Sequence, residues 1–445
     1  MKNPLLQKCA LLALIGVLLL IPLAMIERTI GERTAHRAEA IQAIAASTAG
    51  EQSIVGPMLT IPVEEEYDEE LVEEGGVKKK TIRRKRVHTL TVLPRQVHLD
   101  GGLNVEKRAY GLHETAVFEL QGVLTGSFDA PGLTTLTTLG KNAHLTWGTP
   151  TLSVGIADAR GITGQPKIEL GGRLLSLRRG TQAVGVKTGF HALAEKPFGA
   201  QPESLPFRID LRLAGTGSLG FVPLGEISTA ELRGNWPHPS FGGDFLPRSR
   251  EIGTAGFTAR WSTTALASNA SSEPIDARAR GFQVRLIEPV DVYQQALRAV
   301  KYGVLFIVLT FSAFFTFEHL RSLPIHPIQY LLVGLAQAVF FLLLTSLSEH
   351  IDFALAYLVS AAASIALISL YLATILRGWR RGLGFGCALS VLYAALFGIL
   401  RSEQNALLLG TLLLFVALAG LMLGTRRIDW YHLGQQTDEA AAQGA

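Results

Sequence analysis

Residues 9–26 read CALLALIGVLLLIPLAMI, and five further apolar stretches of this kind follow in the last third of the 445-residue chain. A helix needs about 20 mostly apolar residues to cross the hydrocarbon core of a bilayer. The predicted spans are Cys9–Ile26, Val304–Phe317, Ile328–Leu347, Phe353–Leu376, Leu383–Leu400 and Ala406–Leu423. The pattern predicts an integral membrane protein with six transmembrane α-helices, one N-terminal and five C-terminal.

A long polar segment separates the first span from the second. Its residues 27–46 favour a helix, and from Ile54 onward β-forming residues alternate or cluster between glycines and prolines. Short strands at this spacing predict one or two β-sandwich-like units. We predict four regions: an N-terminus with transmembrane helix 1 over 1–26, a large β-rich domain over 27–298, transmembrane helices 2–6 over 299–425 and a C-terminal tail over 426–445.

The Lys and Arg residues of the short segments that flank the spans predict the orientation, because such charges stay on the cytoplasmic side. One side carries Lys2, Lys8, Arg321, Arg377, Arg380, Arg381, Arg426 and Arg427. The short loops on the other side, 348–352 and 401–405, carry only Arg401. Both termini are therefore predicted to be cytoplasmic, and the β-rich domain is predicted to lie on the opposite side.

The first span has a basic flank and an apolar core, which is typical of a cleaved signal peptide and also of an uncleaved signal anchor. No small-x-small cleavage site follows, and the core is succeeded directly by Glu27 and Arg28. We interpret it as an uncleaved signal anchor. The two cysteines, Cys9 and Cys387, fall in predicted spans, so the β-rich domain has no cysteine with which to form a disulfide.

Composition and motifs argue against several functional classes. A formal charge of +4 on 445 residues is too small to indicate nucleic-acid binding. The string GTGSLG at 215–220 fits a dinucleotide fingerprint, but Phe221-Val222-Pro223 follows it and predicts a strand rather than the required helix. The sequence also lacks a His-Glu-x-x-His, a paired-cysteine and a Walker motif. We predict no catalytic residues, no cofactor and no metal site.

A charged hairpin is predicted at 64–86, where acidic residues precede Gly75-Gly76 and basic residues follow. If these glycines are the turn, Glu73 faces Lys78, Asp68 faces Arg83 and Glu66 faces Lys85. The hairpin is interpreted as self-neutralised and solvated, because exposed ion pairs compensate each other. The alternative is that one arm docks anionic lipid, glycan or a partner.

The segment 235–247 reads NWPHPSFGGDFLP and is unusually rich in prolines and aromatic rings. It predicts a partner-binding loop, in which the candidate residues are Trp236, Pro237, His238, Pro239, Phe241, Asp244 and Phe245. The alternative is that the rings plug the end of a β-sandwich while the prolines protect an edge. Asp158 and Arg160 are interpreted as a structural ion pair that stabilises a turn.

Together with this segment, four others carry a resemblance to a known family: SIVGP at 53–57, DARGI at 158–162, HPIQYLLVGL at 326–335 and IDWY at 428–431. The chain resembles the CreD family of bacterial inner-membrane proteins over nearly its whole length. The resemblance implies a multi-pass protein of the bacterial inner (plasma) membrane with a periplasmic β-rich domain. It also implies a link to cell-envelope integrity and to envelope stress, under the control of a two-component sensor and regulator. It supplies no catalytic residues.

Three functions compete at this point. The first is a non-enzymatic sensor or scaffold that supports the envelope, with membrane lipids as partners and with envelope proteins, lipid or glycan as further periplasmic partners. The second is a carrier or exporter of lipid or an envelope precursor, since five C-terminal helices exceed what an anchor needs. The third is a membrane-surface hydrolase or transferase that acts through Asp158, His238 or Asp244. We favour the first, and the oligomeric state is left open.

Overall fold

The computed structural model describes residues 4–72, 79–111, 113–129, 141–183, 185–194, 204–268, 281–288, 291–321, 325–376, 378–402 and 405–426. Its contacts divide the chain into a helical unit, Met1–Arg37 with Val290–Ala445, and a β-rich unit, Ala38–Pro289. These boundaries differ from the predicted limits of 27 and 298. The difference arises because helical residues continue past the first apolar stretch, and a polar-faced helix precedes the second.

The helices match the apolar stretches closely. They are α1 Pro4–Leu18, α2 Leu20–Ser47, α3 Ala265–Ser268, α4 Val292–Lys301, α5 Gly303–Arg321, α6 Pro327–Ser348, α7 Phe353–Ile375, α8 Trp379–Arg401 and α9 Ala406–Thr425. Within the described residues, five helical segments are long and apolar enough to cross a membrane: Gln7–Ser47, Val292–Glu318, Pro327–Ser348, Phe353–Ile375 and Trp379–Arg401. Leu407–Gly420 is a shorter apolar helix. The helix predicted over 27–46 is confirmed as part of α2.

Side-chain caps set where several of these helices begin. The Asp291 carboxylate accepts hydrogen bonds from the backbone N–H groups at the start of α4. His326 and Gln329 form a capping box ahead of α6, which has proline at its first position, and Asp352 caps α7. Capping oxygens and nitrogens satisfy backbone donors that the first turn leaves unpaired. The loops between spans therefore encode the helix starts.

Two glycines of α8 let this helix approach α7. A Cβ atom added at Gly382 would lie 2.6 Å from the Cβ of Ala373, and one added at Gly386 would lie 2.4 Å from the Oγ of Ser369. Both distances are too short for non-bonded atoms. Small residues allow such close approach between membrane helices. The absence of a side chain at Gly382 and Gly386 is therefore what allows α8 to lie against α7 at these two positions.

The strands are β1 Gln52–Val72, β2 Lys79–Val92, β3 Gln96–Tyr110, β4 His113–Asp129, β5 Lys141–Trp147, β6 Thr151–Ile156, β7 Lys167–Leu170, β8 Arg173–Leu175, β9 Leu177–Arg179, β10 Gly189–Leu193, β11 Ser204–Thr216, β12 Ser218–Val222, β13 Ile227–Gly234, β14 Pro239–Gly243, β15 Ser249–Gly253, β16 Gly256–Thr264 and β17 Phe282–Leu286. They form two sheets. One has the order β14-β17-β12-β1-β6-β10-β9, with β2 and β5 also paired to β1, and the other has the order β15-β16-β13-β3-β4-β11-β7-β8.

The two sheets share one hydrophobic core. In β3 the burial alternates, so that Val97 and Leu99 point inward while their neighbours face outward. These residues belong to the same buried cluster as Ile54 of β1 and Val154 of β6 in the other sheet. Period-two alternation is what a half-buried strand requires. Of the one or two sandwich-like units predicted, the structure has a single sandwich.

The charged hairpin has the predicted register where it is described. Asp68 pairs with Arg83 and Glu66 with Lys85 across β1 and β2. The turn glycines and the predicted Glu73–Lys78 pair lie outside the described residues. The strand context predicted after GTGSLG is also confirmed, because β11 ends and β12 begins within that string.

Candidate functional site

The predicted binding loop turns its largest ring into the sandwich. The Trp236 side chain is 8% exposed, and its indole Nε1 donates hydrogen bonds to the carbonyl oxygens of His238 at 3.2 Å and Ile287 at 3.1 Å. A buried indole needs such partners, because an unpaired N–H in an apolar environment costs free energy. Trp236 thus serves as a packed and hydrogen-bonded core residue.

The other two rings of the segment pack against aromatic residues of the core. Phe241 meets Phe257 and Trp261 edge-on at centroid distances of 5.8 Å and 5.7 Å. Phe245 contacts Phe282 edge-on at 6.0 Å. Edge-to-face arrangements at these distances stabilise aromatic clusters. The ring positions therefore agree with the alternative in which the segment plugs the sandwich.

The rest of the segment forms β14, at one edge of the nine-stranded sheet. Pro239 opens the strand, and a proline on an edge discourages pairing with another chain. The Asp244 carboxylate accepts a hydrogen bond from the backbone N–H of Gly281 at 3.0 Å. His238 is exposed and Pro237 is half-buried. A partner-binding role for this segment stays a prediction. Among the candidate residues, His238 and Asp244 are exposed and could contact a partner, whereas the rings pack against the core.

Asp158 and Arg160 form the predicted ion pair. The Arg160 guanidinium donates from Nη2 to Oδ2 of Asp158 at 2.6 Å and from Nε to Oδ1 at 3.0 Å. This bidentate pairing spans a single turn of 3-10 helix, Ala159–Gly161, whose N-cap is Asp158. The Arg160 hydrogen bonds lower the pKa of the Asp158 carboxyl to about 2 and raise the pKa of Arg160.

The same pair holds the chain where α2 ends. Nη1 of Arg160 donates to the carbonyl oxygen of Ala46 at 2.9 Å, and Oδ2 of Asp158 accepts from the backbone N–H of Gly50 at 3.1 Å. The last carbonyls of a helix have no partner within the helix, and a cation there also complements the helix dipole. Arg160 is therefore a C-terminal cap for α2 contributed by a distant part of the chain.

Gln52 completes this arrangement from the start of β1. Its side chain is almost fully buried, donates to the carbonyl oxygens of Asp158 at 3.0 Å and Ala214 at 2.9 Å, and accepts from the backbone N–H of Asp158 at 3.1 Å. A Cβ atom at Gly161 would lie 2.2 Å from both the Ala214 oxygen and the Gln52 nitrogen, so only glycine fits there. We call Gln52, Asp158 and Arg160 the junction.

The residues of the third hypothesis do not converge. Asp158 follows β6, which is four strands away from β14 in the sheet order, or about 19 Å at the usual strand spacing. His238 and Asp244 flank opposite ends of β14 and are separated by about 20 Å along an extended chain. A general acid and its partner must lie within hydrogen-bond reach. A hydrolase or transferase site built from these three residues is therefore wrong.

In the part of the chain that the structure describes, no group of three or more His, Cys, Asp or Glu side chains is arranged to hold a metal ion.

Comparison with known proteins gives a family for the whole chain. The model of the family described as "Inner membrane protein CreD" matches residues 4–431. The chain is 40% identical over 438 residues to "Inner membrane protein CreD" of Escherichia coli (strain K12), covering 97% of this chain and 95% of that protein. The chain belongs to the CreD family. The predicted resemblance is confirmed, and with it membership of a family of inner-membrane proteins.

Solved structures add nothing to the CreD assignment. An M1 zinc metallopeptidase from Deinococcus radiodurans aligns over 38% of this chain and 38% of that chain, at 11% identity and a TM-score of 0.21. A leukotriene A4 hydrolase from Saccharomyces cerevisiae aligns over 48% of this chain and 34% of that chain, at 8% identity and a TM-score of 0.21. Likenesses this weak and partial carry no argument about the fold or activity of a CreD protein.

In this CreD protein, sequence reasoning missed two ion pairs in the helical unit. Nζ of Lys8 in α1 pairs with the Glu318 carboxylate of α5, which also accepts a hydrogen bond from the Tyr330 hydroxyl at 2.7 Å. Arg33 of α2 lies 3.7 Å from the carboxylate of Glu349, at the end of α6. Charges near span ends are visible in the sequence, but their partners are hundreds of residues away.

Sequence reasoning also missed a basic cleft in the β-rich unit of the CreD chain. The cleft has a volume of about 870 Å³ and lies between the 159–166 turn and the β9–β10 hairpin. Arg160, Arg178, Arg179 and Lys187 line it. The adjacent Arg178-Arg179 was a usable signal in the sequence, but Lys187 and Arg160 join it only through the fold.

Proposed function

We propose that this CreD protein supports cell-envelope integrity as a non-enzymatic sensor or scaffold in the envelope stress response, under two-component control. The observation that carries the proposal is the junction. It fixes residues at the end of α2 to the β sandwich through the side chains of Gln52, Asp158 and Arg160. A protein that senses or holds envelope components needs a folded receiving domain, and the junction fixes the point at which the chain enters that domain.

The hydrogen bonds around the junction support a firm connection within the β-rich unit. Oγ1 of Thr216 donates to the Ala49 carbonyl oxygen at 2.8 Å, and the Thr216 backbone N–H donates to Gly50 at 3.0 Å. They act together with the hydrogen bond from Arg160 to the Ala46 carbonyl oxygen. Several hydrogen bonds that depend on one another reinforce a local conformation more than isolated ones do. The segment between α2 and β1 is therefore held in one conformation.

The proposed topology has six spans, both termini in the cytoplasm and the β-rich domain in the periplasm. Its support is the excess of Lys and Arg on one side and the apolar helix α9, which would form the sixth span. Alkaline phosphatase and green fluorescent protein fusions at residues 100, 349 and 445 test it. Phosphatase activity is expected at the first two positions and fluorescence at the last. Fluorescence at residue 100 would overturn the proposal.

Complementation tests the function itself. In a strain that lacks its own copy, the parent chain and Arg160→Ala are expressed at equal membrane levels, and uptake of a hydrophobic fluorescent dye reports envelope permeability. The parent is expected to lower dye uptake, and Arg160→Ala is expected to lose most of that effect. The matched control is Arg250→Ala, an exposed arginine on the edge strand β15. Full restoration by Arg160→Ala, or turnover of lipid or glycan by the purified chain, would contradict the proposal.

A second candidate function, lipid or envelope-precursor carrier, is favoured by a groove among α5, α8 and α9. The groove has a volume of about 680 Å³ and an apolar wall that includes Phe317 and Phe385, with Arg380 and Arg381 at one end. A site of this composition suits an acyl chain and an anionic headgroup. A Cβ atom at Gly384, which lines the groove, would meet no atom within 4 Å.

Filling the groove tests the carrier function. Gly384→Leu projects a side chain into the groove without a backbone clash, whereas Gly398→Leu places the same side chain on an open part of the same helix. In proteoliposomes, a carrier is expected to lose transfer of fluorescent phosphatidylglycerol in the first variant and to keep it in the second. Equal transfer in both variants, or none above empty liposomes in the parent, would remove this function.

A further inference from the structure

The basic cleft carries charges that the fold leaves uncompensated. Arg178, Arg179 and Lys187 are exposed, and within the described part of the chain none of them has a hydrogen bond or an ion pair through its side chain. None of the described residues that line the cleft is acidic. The charge of Arg160 is offset by its ion pair with Asp158, which is not among the residues that line the cleft. Three positive charges therefore face one concave surface and repel one another unless an anion binds.

The hairpin that carries these residues is held in place. The backbone N–H of Gly180 donates to the Gly189 carbonyl oxygen at 2.9 Å, and the hydroxyl of Thr181 donates to the Val186 carbonyl oxygen. The Gln182 backbone N–H donates to Oγ of Ser153 at 3.2 Å, and Val186 belongs to a small buried apolar cluster. A loop fixed before binding loses little conformational entropy when a ligand arrives. The cleft is thus preorganised.

The edge position of β9 supplies a different reason for two arginines, because charged residues on an edge strand discourage pairing with other chains. That role explains Arg178 and Arg179, but it does not require Lys187 on the far side of the hairpin or Arg160 on a separate turn. Convergence from three segments onto a cavity of about 870 Å³ is typical of ligand sites, which usually measure about 300–1,000 Å³.

We propose that this cleft binds a phosphate-bearing anion with two or more negative charges. Guanidinium groups pair with phosphate oxygens through two parallel hydrogen bonds, and a lysine ammonium adds a point charge. Phe190, Leu177 and Pro166 supply an apolar wall for the part of the ligand that carries the phosphates. Such an anion would be the ligand that the proposed sensor detects. This inference therefore rests on the proposed function.

Arg160 links the cleft to the junction. Its guanidinium lines the cleft and also donates to Asp158 and to the Ala46 carbonyl at the end of α2. Three of the five N–H donors of this guanidinium serve those acceptors, which leaves two for a phosphate. We expect a phosphate that engages them to draw the guanidinium toward the cleft and to weaken the hydrogen bond at the end of α2, which is the signal a sensor would transmit.

The test uses the purified full chain in nanodiscs of phosphatidylcholine, titrated calorimetrically with sodium tripolyphosphate. The parent is expected to bind, with an affinity that falls as salt is added. Arg179→Gln is expected to weaken binding about tenfold, and the double variant Arg178→Gln/Arg179→Gln further, because each loses a charge-assisted hydrogen bond. Arg250→Gln, which alters an exposed edge-strand arginine of the other sheet, is expected to bind like the parent.

A second arm distinguishes the sources of phosphate. Flotation of the same nanodiscs with added vesicles of phosphatidylglycerol or phosphatidylcholine reports a lipid headgroup as the ligand, if the difference between the two lipids disappears in Arg178→Gln/Arg179→Gln. Absence of tripolyphosphate binding together with equal flotation of parent and double variant would overturn the inference. If the inference is overturned in this way but Arg160→Ala still fails in complementation, the proposed function stands. If instead tripolyphosphate binds but Arg160→Ala complements fully, the proposed function is wrong and the anion site stands.

Discussion

Both units of the molecule contain an ion pair, but the pairs differ in the distance that they span along the chain and in their surroundings. Asp158 and Arg160 are two residues apart, whereas Lys8 and Glu318 are 310 residues apart. The Asp158 and Arg160 side chains in the β-rich unit are 20% and 59% exposed, whereas the Glu318 and Lys8 side chains in the helical unit are 7% and 26% exposed. Charges that face water are screened, while buried charges interact strongly and are costly to leave unpaired. The same chemistry is thus expected to act as a tunable contact in one unit and as a structural requirement in the other.

The largest expected effect is in the helical unit. Lys8→Ala leaves the Glu318 carboxylate without its cation in a poorly solvated site, and we expect a loss of about 3–5 kcal/mol in the free energy of unfolding. Reversible unfolding of the purified chain in mixed micelles with dodecyl sulfate measures it.

Lys8→Met combined with Glu318→Leu is the control, because removing both charges of a buried pair is often neutral. A loss below about 1 kcal/mol in Lys8→Ala would show that water reaches this pair and would erase the contrast between the units.

The second-largest loss of stability is expected in the sandwich, where a buried residue and an exposed residue of the 235–247 segment can be compared. Trp236→Ala removes a buried indole together with its two hydrogen bonds, and we expect a loss of about 3 kcal/mol. His238→Ala, on the exposed side of the same segment, is expected to stay within about 0.5 kcal/mol. Denaturation followed by near-ultraviolet circular dichroism compares them. If both variants lose equally little free energy of unfolding, the Trp236 ring is exposed to solvent and the segment fits a binding role.

A smaller effect concerns the junction and pH. The pKa of Asp158 is lowered from 3.8 to about 2 in the folded chain, so the paired carboxylate stabilises the fold fully above its unfolded pKa. That contribution is lost as the pH falls through about 2. The shift corresponds to at most about 2.5 kcal/mol, and screening at the exposed Arg160 reduces the expectation to about 1 kcal/mol.

Asp158→Asn tests this assignment. Its stability is expected to be about 1 kcal/mol lower than that of the parent at pH 7. The gap is expected to narrow as the pH falls toward 2, where the paired Asp158 carboxyl of the parent is about half protonated. Thermal unfolding between pH 2 and pH 7 measures the difference. A gap that does not narrow at low pH would mean that hydrogen-bond geometry, and not the charge of Asp158, holds the junction.

The smallest effect is expected in the charged hairpin. Lys85 lies 2.8 Å from Glu64 and 2.6 Å from Glu66, and these contacts raise its pKa. Because the three side chains reach the solvent, Lys85→Ala is expected to lower the free energy of unfolding less than any of the destabilising variants above. A double-mutant cycle with Glu66→Ala isolates the pair. A coupling energy as large as the stability loss in Lys8→Ala would contradict this expectation and would make the hairpin pair comparable to the buried pair of the helical unit.

The sequence predicted the helices, the charged hairpin and the Asp158–Arg160 pair, but it did not predict which distant side chains the fold brings together. The apolar stretches predicted the helices of the helical unit. The order of acidic and basic residues over 64–86 predicted the register of the charged hairpin. The 235–247 segment was the main difficulty. Its composition is the same whether its rings face a partner or a core, and their direction depends on β16 and β17 packing beneath them.

Asp158 and Arg160 show which contacts can be predicted from neighbouring residues and which cannot. A pair two residues apart can be predicted, but its contacts with Ala46 and Gly50 cannot, because they join positions more than 100 residues apart in sequence. The basic cleft is similar, since Lys187 and Arg178 converge only after β9 and β10 pair.

By itself, the sequence determined which segments are apolar enough for a membrane, which alternate as strands and where charges concentrate, because length, period and solvation are local properties of the chain. The tertiary structure alone decided which charges are buried, which rings are covered and which arginines share a cleft. These depend on distant segments excluding water from one another, and no short stretch of sequence contains that information.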